Sequence, residues 1–138
     1  MTSSPPIHLL YIDDDDVDVM AMKRAIAHSK TGFSLLVARD GIEALALLRG
    51  QGVPRPHIVL LDLNMPRMNG IEFLRQLRED QEHRDAVVFV LTTSSMTEDK
   101  AAAYDAGIAG YIQKTSAGRG LLQLVELLDA YCSVVELP

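Results

Sequence analysis

Five short apolar runs recur along the chain, each followed by a stretch with helical spacing. Ile7 to Ile12 predicts a first strand ending at Asp13, and Val17 to Ala27 a first helix. Its stripe runs through Val17, Met20, Ala21, Arg24 and Ala27, with Asp15 or Asp16 as N-cap. Phe33 to Ala38 reads as a second strand after the Thr31-Gly32 break. Gly41 to Leu48 follows as a helix with Ile42, Leu45, Ala46 and Leu48 apolar. Gly50, Gly52, Pro54 and Pro56 mark a loop. The continuous run Ile58 to Leu61 predicts a central strand buried on both faces. Ile71, Phe73, Leu74 and Leu77 mark a third helix, with Glu72 suiting the macrodipole near its start. Ala86 to Leu91 predicts a fourth strand. Thr97 to Ala106 predicts a fourth helix, with Thr97 as cap and Gly107 as C-terminal stop. Gly110 to Gln113 is a short fifth strand and Leu121 to Tyr131 a fifth helix. Such alternation implies an α/β fold, a five-stranded parallel sheet with helices on both faces joined by right-handed crossovers.

In a parallel sheet all strand ends of one kind share an edge. Asp13 and Asp14, Asp62, Thr92 and Lys114 each follow or close a different predicted strand, so residues far apart in sequence should meet. That carboxyl edge is where open α/β sheets bind ligands. Taken alone, Asp62 also reads as a turn former or helix cap before Pro66, Asn69 and Gly70.

The 138 residues suit one domain, 1–138, with 133–138 as a short C-terminal tail. Net charge is −6, and the thirteen basic residues form no stripe, which argues against nucleic-acid binding. No apolar run approaches the ~20 residues of a membrane helix. The N-terminus lacks the segments of a signal peptide. A lone Cys132 fits a reducing, cytoplasmic setting. His8, His28, His57 and His83 show no ligand spacing and read as surface or packing residues. The acids are uneven: Asp13, Asp14, Asp15, Asp16 and Asp18 crowd one stretch.

Three carboxylates in one crevice raise each other's pKa or bind a cation. Oxygen ligands on a water-accessible edge suit Mg²⁺. A carboxylate can also accept a phosphoryl group, a transfer that needs mainly positioning and charge neutralisation. Thr92 and Lys114 can supply both beside Asp62.

The ordered set Asp13-Asp14, Leu61-Asp62-Leu-Asn64-Met-Pro66-x-Met-Asn-Gly70, Leu91-Thr92 and Gly110-Tyr111-Ile-Gln-Lys114 resembles the receiver domain of bacterial response regulators, over residues 7 to about 132. Thr92 follows Asp62 by 30 positions and Lys114 follows Thr92 by 22, spacings similar to that family's. The resemblance implies a flavodoxin-like strand order 2-1-3-4-5. It implies a phosphorelay role in which a histidine kinase donates a phosphoryl group to Asp62. It also implies that Asp14, Asp62 and the Asn64 carbonyl ligate Mg²⁺, with Asp13 acting mostly through water. Thr92 and Lys114 would contact the phosphoryl group, and Tyr111 would follow Thr92 in the switch. Tyr111 reads equally well as a packing aromatic. The chain would catalyse only its own phosphorylation and dephosphorylation.

Two departures stand out. Thr115 replaces the family's usual Pro after the lysine, where a non-Pro cis bond would cost several kcal/mol. Thr93 stands where many receivers carry a smaller residue, and is expected to narrow access to the phosphoryl group and slow its hydrolysis. These features and the ending Val134-Val-Glu-Leu-Pro138 resemble stand-alone regulators that partner bacterial phytochrome kinases. Six residues follow Cys132, so output is expected through a partner, a downstream phosphotransfer protein or a homodimer. Leu121, Leu124, Val125, Leu128 and Cys132 form a core stripe. Leu122, Leu127, Val134, Val135 and Leu137 are either an exposed patch or a tail folded back on its own domain.

Other chemistries fit poorly. A haloacid-dehalogenase-type enzyme needs an acid where Asn64 stands. A calcium loop counted from Asp14 meets Val19 and Ala25 where Gly and Glu belong. A P-loop needs Gly in place of Gln113. The remaining alternative is a constitutive, phosphorylation-independent protein-binding module.

Overall fold

A computed structural model of the chain describes residues 6–65, 67–93, 96–114 and 119–138. Its elements alternate strictly: β1 (His8–Ile12), α1 (Asp16–Ile26), β2 (Ser34–Ala38), α2 (Gly41–Arg49), β3 (His57–Leu61), α3 (Gly70–Glu79), β4 (Val87–Thr92), α4 (Thr97–Asp105), β5 (Gly110–Gln113) and α5 (Arg119–Val134). The five strands are parallel, in the order β2-β1-β3-β4-β5. Ile12 pairs with both Ala38 and Leu61, and Thr92 pairs with Gln113.

Side chains alternate across each strand, so one apolar run feeds two cores. Leu10, Ile12, Val59, Leu61, Val88 and Val90 face Leu45, Leu48, Phe73, Leu74 and Leu77 from α2 and α3. Leu9, Tyr11, Ile58, Leu60, Phe89 and Leu91 face Val19, Met22, Ile26, Leu124 and Leu128 from α1 and α5. All five residues of β3 are buried, as a central strand with helices on both sides requires.

Polar side chains set the helix starts. Asp15 caps α1 by accepting from the Val17 and Asp18 N–H groups at 2.8 and 3.2 Å. Asp40 caps α2 through the Glu43 N–H at 2.9 Å. Asn69 and Glu72 close a capping box at α3. At α4 the expected cap shifts: Met96 takes the N-cap position without a side-chain capping bond, and Thr97 is already helical. Gly107 ends that helix with φ +76°, a left-handed conformation that glycine adopts without strain. The far end of α4 is tied down by Arg78. Its guanidinium donates to the carbonyls of Ala106 (2.6 Å) and Gly107 (3.0 Å), and to those of Arg84 and Ala86 (both 2.8 Å).

Helix faces differ from the sequence expectation in two places. In α1 the buried stripe is Val19, Met22, Ala25 and Ile26, while Val17 and Met20 are exposed. In α2, Ala44 takes the buried place expected of Ala46, and Ile42 is exposed. In both segments apolar residues occupy more than one face. Spacing alone therefore leaves two stripes to choose from, and the sheet selects one. The stripe on α5 stands where expected, with Leu124, Val125 and Leu128 buried. The helix itself runs on to Val134, so Ser133 and Val134 are helical rather than tail. Leu137 packs on the core shared with α1, while Leu122, Leu127, Val134 and Val135 remain exposed. His57 and His83 stack, with ring centroids 6.3 Å apart, and both are buried as packing residues.

Truncating Leu60→Ala, fully buried in β3, should cost about 2–5 kcal/mol in urea denaturation. Met20→Ala should stay within about 0.5 kcal/mol. The reverse order would mean that the α1 face is wrongly assigned.

Candidate functional site

The parallel register brings five chemistry-bearing residues to one edge. Backbone hydrogen bonds continue just past the strand ends: Asp13 N–H to Ala38 (3.0 Å), Asp62 N–H to Ile12 (3.0 Å) and Lys114 N–H to Thr92 (2.7 Å). Asp13 and Asp62 thus leave neighbouring strands side by side. Asp13, Thr92 and Asp62 are buried and Asp14 is exposed. One carboxylate oxygen from each of Asp13, Asp14 and Asp62 lies within 4.8 Å of the others.

Lys114 reaches into this group. Its Nζ donates to Asp13 Oδ2 at 2.6 Å and to Asp18 Oδ2 at 2.8 Å, and lies 3.4 Å from Asp62 Oδ2. Its side chain is only 12% exposed, yet it sits among carboxylates. Burial works against its charge, but the hydrogen bonds to Asp13 and Asp18 and the charge of Asp62 outweigh that. The ammonium is held well above the usual lysine range. Asp62 is shifted the other way from an ordinary ion-paired acid. Burial raises its pKa, opposed by the Asn64 N–H and Lys114 and reinforced by Asp13, and the net shift is upward.

Two of the carboxylates are also oriented by backbone N–H groups. The Asn64 N–H donates to Asp62 Oδ1 at 3.1 Å, and the Asp15 N–H to Asp13 Oδ1 at 3.0 Å. Asn64 Nδ2 lies 3.5 Å from Thr92 Oγ1. The Tyr11 hydroxyl donates to Asp13 Oδ2 at 2.5 Å. Burial and that hydrogen bond hold its proton far above the usual phenol range.

Asp13, Asp14, Asp62, Thr92, Asn64 and Lys114 therefore meet as the topology implied. Tyr111 lies one strand further out, beside Val90, half-buried against the core shared with α2 and α3. Thr93 is exposed at the mouth, and Thr115 lies outside the described residues. Two contributors were not read as such in the sequence. Tyr11 lies in β1 two residues before Asp13, and the alternation carried one residue past the strand end puts both side chains on one face. Asp18 belongs to the acidic run, but only the docking of α1 against the sheet turns it to Lys114. The three clustered carboxylates are hard oxygen donors, and the exposure of Asp14 leaves room for water, so the set fits Mg²⁺.

Comparison with known proteins agrees with this geometry. A family model described as a response regulator receiver domain matches residues 9–126. Response regulator Rcp1 of Synechocystis sp. is 31% identical over 133 residues, covering 94% of this chain and 90% of that protein. The crystal structure of a phosphorylated cyanobacterial phytochrome response regulator, RcpA, superposes with a TM-score of 0.88 at 30% identity, covering 97% of this chain and 99% of that one. The Mn²⁺-bound form of Rcp1 superposes with a TM-score of 0.84 at 29% identity, with the same coverage.

The raised pKa of Asp62 has a consequence for stability. A carboxyl group whose pKa is higher folded than unfolded holds more protons in the native state, so its contribution falls as pH rises through the carboxylate range. Asp62→Asn removes that penalty. In EDTA at pH 7 the variant should resist urea better than wild type, and the gap should close as the pH drops below 4. A variant less stable than wild type at pH 7 would contradict the electrostatic picture.

Proposed function

Because the chain belongs to the response regulator receiver domain family, we propose that it accepts a phosphoryl group from a histidine kinase onto Asp62, in a phosphorelay that requires Mg²⁺. The observation that carries this reading is the convergence of Asp13, Asp14, Asp62, Thr92 and Lys114 from four strand ends on one partly open edge. A carboxylate oxygen of Asp62 attacks phosphorus, the P–N bond to the donor imidazole breaks, and the imidazole leaves with the bond electrons. In dephosphorylation a water oxygen attacks the same phosphorus and the bond to Asp62 breaks. The chain thus acts only on its own acyl phosphate.

Roles follow from placement. Asp13, Asp14, Asp62 and the Asn64 backbone carbonyl would hold the cation, which when bound neutralises charge on the transferring oxygens. Lys114, protonated across the neutral range, contacts the phosphoryl group from the β5 side. The Thr92 hydroxyl approaches it from the end of β4, next to Asn64. The Asn64 N–H keeps Asp62 pointed outward.

Phosphorylation adds about 1.5 to 2 negative charges at the edge. Thr92 and Lys114 move toward it, and Tyr111 follows. The helix 4–strand 5–helix 5 face shifts between two populations. The sparse burial of α4 supports this route: Ala103 is its one buried residue.

Upstream, similarity to the phytochrome response regulator RcpA supports a bacteriophytochrome-type kinase as donor. Downstream, the exposed Leu122, Leu127, Val134 and Val135 on and after α5 support a homodimer or docking of a phosphotransfer protein. Among the described residues no helix is long and apolar enough to cross a membrane. A cytoplasmic location fits the family's partners.

Incubation with acetyl phosphate and Mg²⁺ should add one phosphoryl group, read by intact mass and removed by hydroxylamine. EDTA or Asp62→Asn should abolish the adduct, and Lys114→Ala should slow its formation about tenfold or more. Failure of both acetyl phosphate and a cognate phospho-kinase to label Asp62, together with no Mg²⁺ binding, would favour the constitutive binding module.

A further inference from the structure

We infer that Asp18 is a positioning residue for Lys114: it tethers the ammonium to α1 and competes for it with the phosphoryl group on Asp62. This rests on the proposed phosphoacceptor role of Asp62. The geometry is specific. A lysine ammonium has three N–H donors, and here they face three carboxylates: Asp13 at 2.6 Å, Asp18 at 2.8 Å and Asp62 at 3.4 Å. The weakest contact is to the residue that is to be phosphorylated. The second strongest is to a helix that contributes no metal donor.

Asp13 is fully buried at the sheet edge, where Tyr11 and the Asp15 N–H fix both its oxygens. It stays with the sheet. Asp18 is different. Its side chain is 39% exposed, it lies in the first turn of α1, and it can exchange Lys114 for water at little cost. Of the two strong contacts, the one to Asp18 is therefore the one that yields when a dianionic group arrives on Asp62. Release of that contact also links the site to α1, whose packing on α5 continues through Val19, Met22, Leu124 and Leu128. The tether sets how readily Lys114 engages the transferring phosphoryl group and how firmly it stays there.

Removing the tether should free the ammonium. Asp18→Asn should phosphorylate about three- to fivefold faster with acetyl phosphate and Mg²⁺, and hold the phosphoryl group longer by a similar factor. Loss of a negative charge near an anionic donor could mimic part of this. Asp16→Asn is the control: it removes the same charge from the same helix turn, but Asp16 pairs with Arg39 instead of Lys114. Asp18→Glu should restore wild-type behaviour.

Two further measurements isolate the tether. In a Lys114→Ala background the effect of Asp18→Asn should vanish, because the two side chains form one unit. In the unphosphorylated protein, the Lys114 ¹⁵N-ammonium NMR resonance should be exchange-protected in wild type and Asp16→Asn, and lost to solvent exchange in Asp18→Asn. Equal rates for Asp18→Asn and Asp16→Asn, or an undiminished Asp18→Asn effect without Lys114, would overturn the proposal. An unchanged Lys114 resonance would do so even if no phosphoryl group is ever accepted. A protected resonance lost in Asp18→Asn, with no labelling of the wild type, would instead keep the tether and remove the phosphoacceptor reading.

Discussion

One ammonium among four carboxylates is the constraint on which this molecule turns. Asp13, Asp18 and Asp62 contact Lys114 directly, and Asp14 lies within 4.8 Å of two of them through its carboxylate. Buried like charges are costly unless paired or neutralised. Burial is the main cause of the upward shift of Asp62, and Lys114, shared among three carboxylates, offsets it only in part. Three carboxylates within 4.8 Å of one another leave negative charge that a divalent cation would offset. On the proposed reading, a positive ion and a phosphoryl group at this edge would each make the other less costly to hold.

The scaffold exists to keep that imbalance in place. Strand register sets Asp13 beside Asp62, and backbone N–H groups of Asp15 and Asn64 fix their carboxylates. Two apolar cores clamp the sheet from both sides, so the carboxylates cannot relax apart by moving strands. α4 buries one alanine, and its far end is tied by the Arg78 bonds to the Ala106 and Gly107 carbonyls.

What spacing made legible, and what it missed, follows a physical divide. Continuous apolar runs ending in Asp13, Asp62, Thr92 and Lys114 specify strands and the residues at their ends. Parallel topology then makes their meeting obligatory. The helices were legible in position but not in orientation. Val17 and Met20 on α1, and Ile42 on α2, fit an apolar stripe as well as the residues that are buried. Likewise Thr97 reads as a cap from its chemistry, yet the loop leaves it inside the helix.

The amino-acid sequence by itself therefore determined the alternation of elements, the parallel sheet, and the identity of the acidic edge with its lysine. These depend on local period and on covalent order. Only the tertiary structure decided that Asp18 holds Lys114, that Tyr11 holds Asp13, that Leu137 returns to the core and that α1 buries Val19 rather than Val17. Those outcomes depend on the rotation of one element against another. Rotation is set by how whole faces pack, a property that no single segment carries.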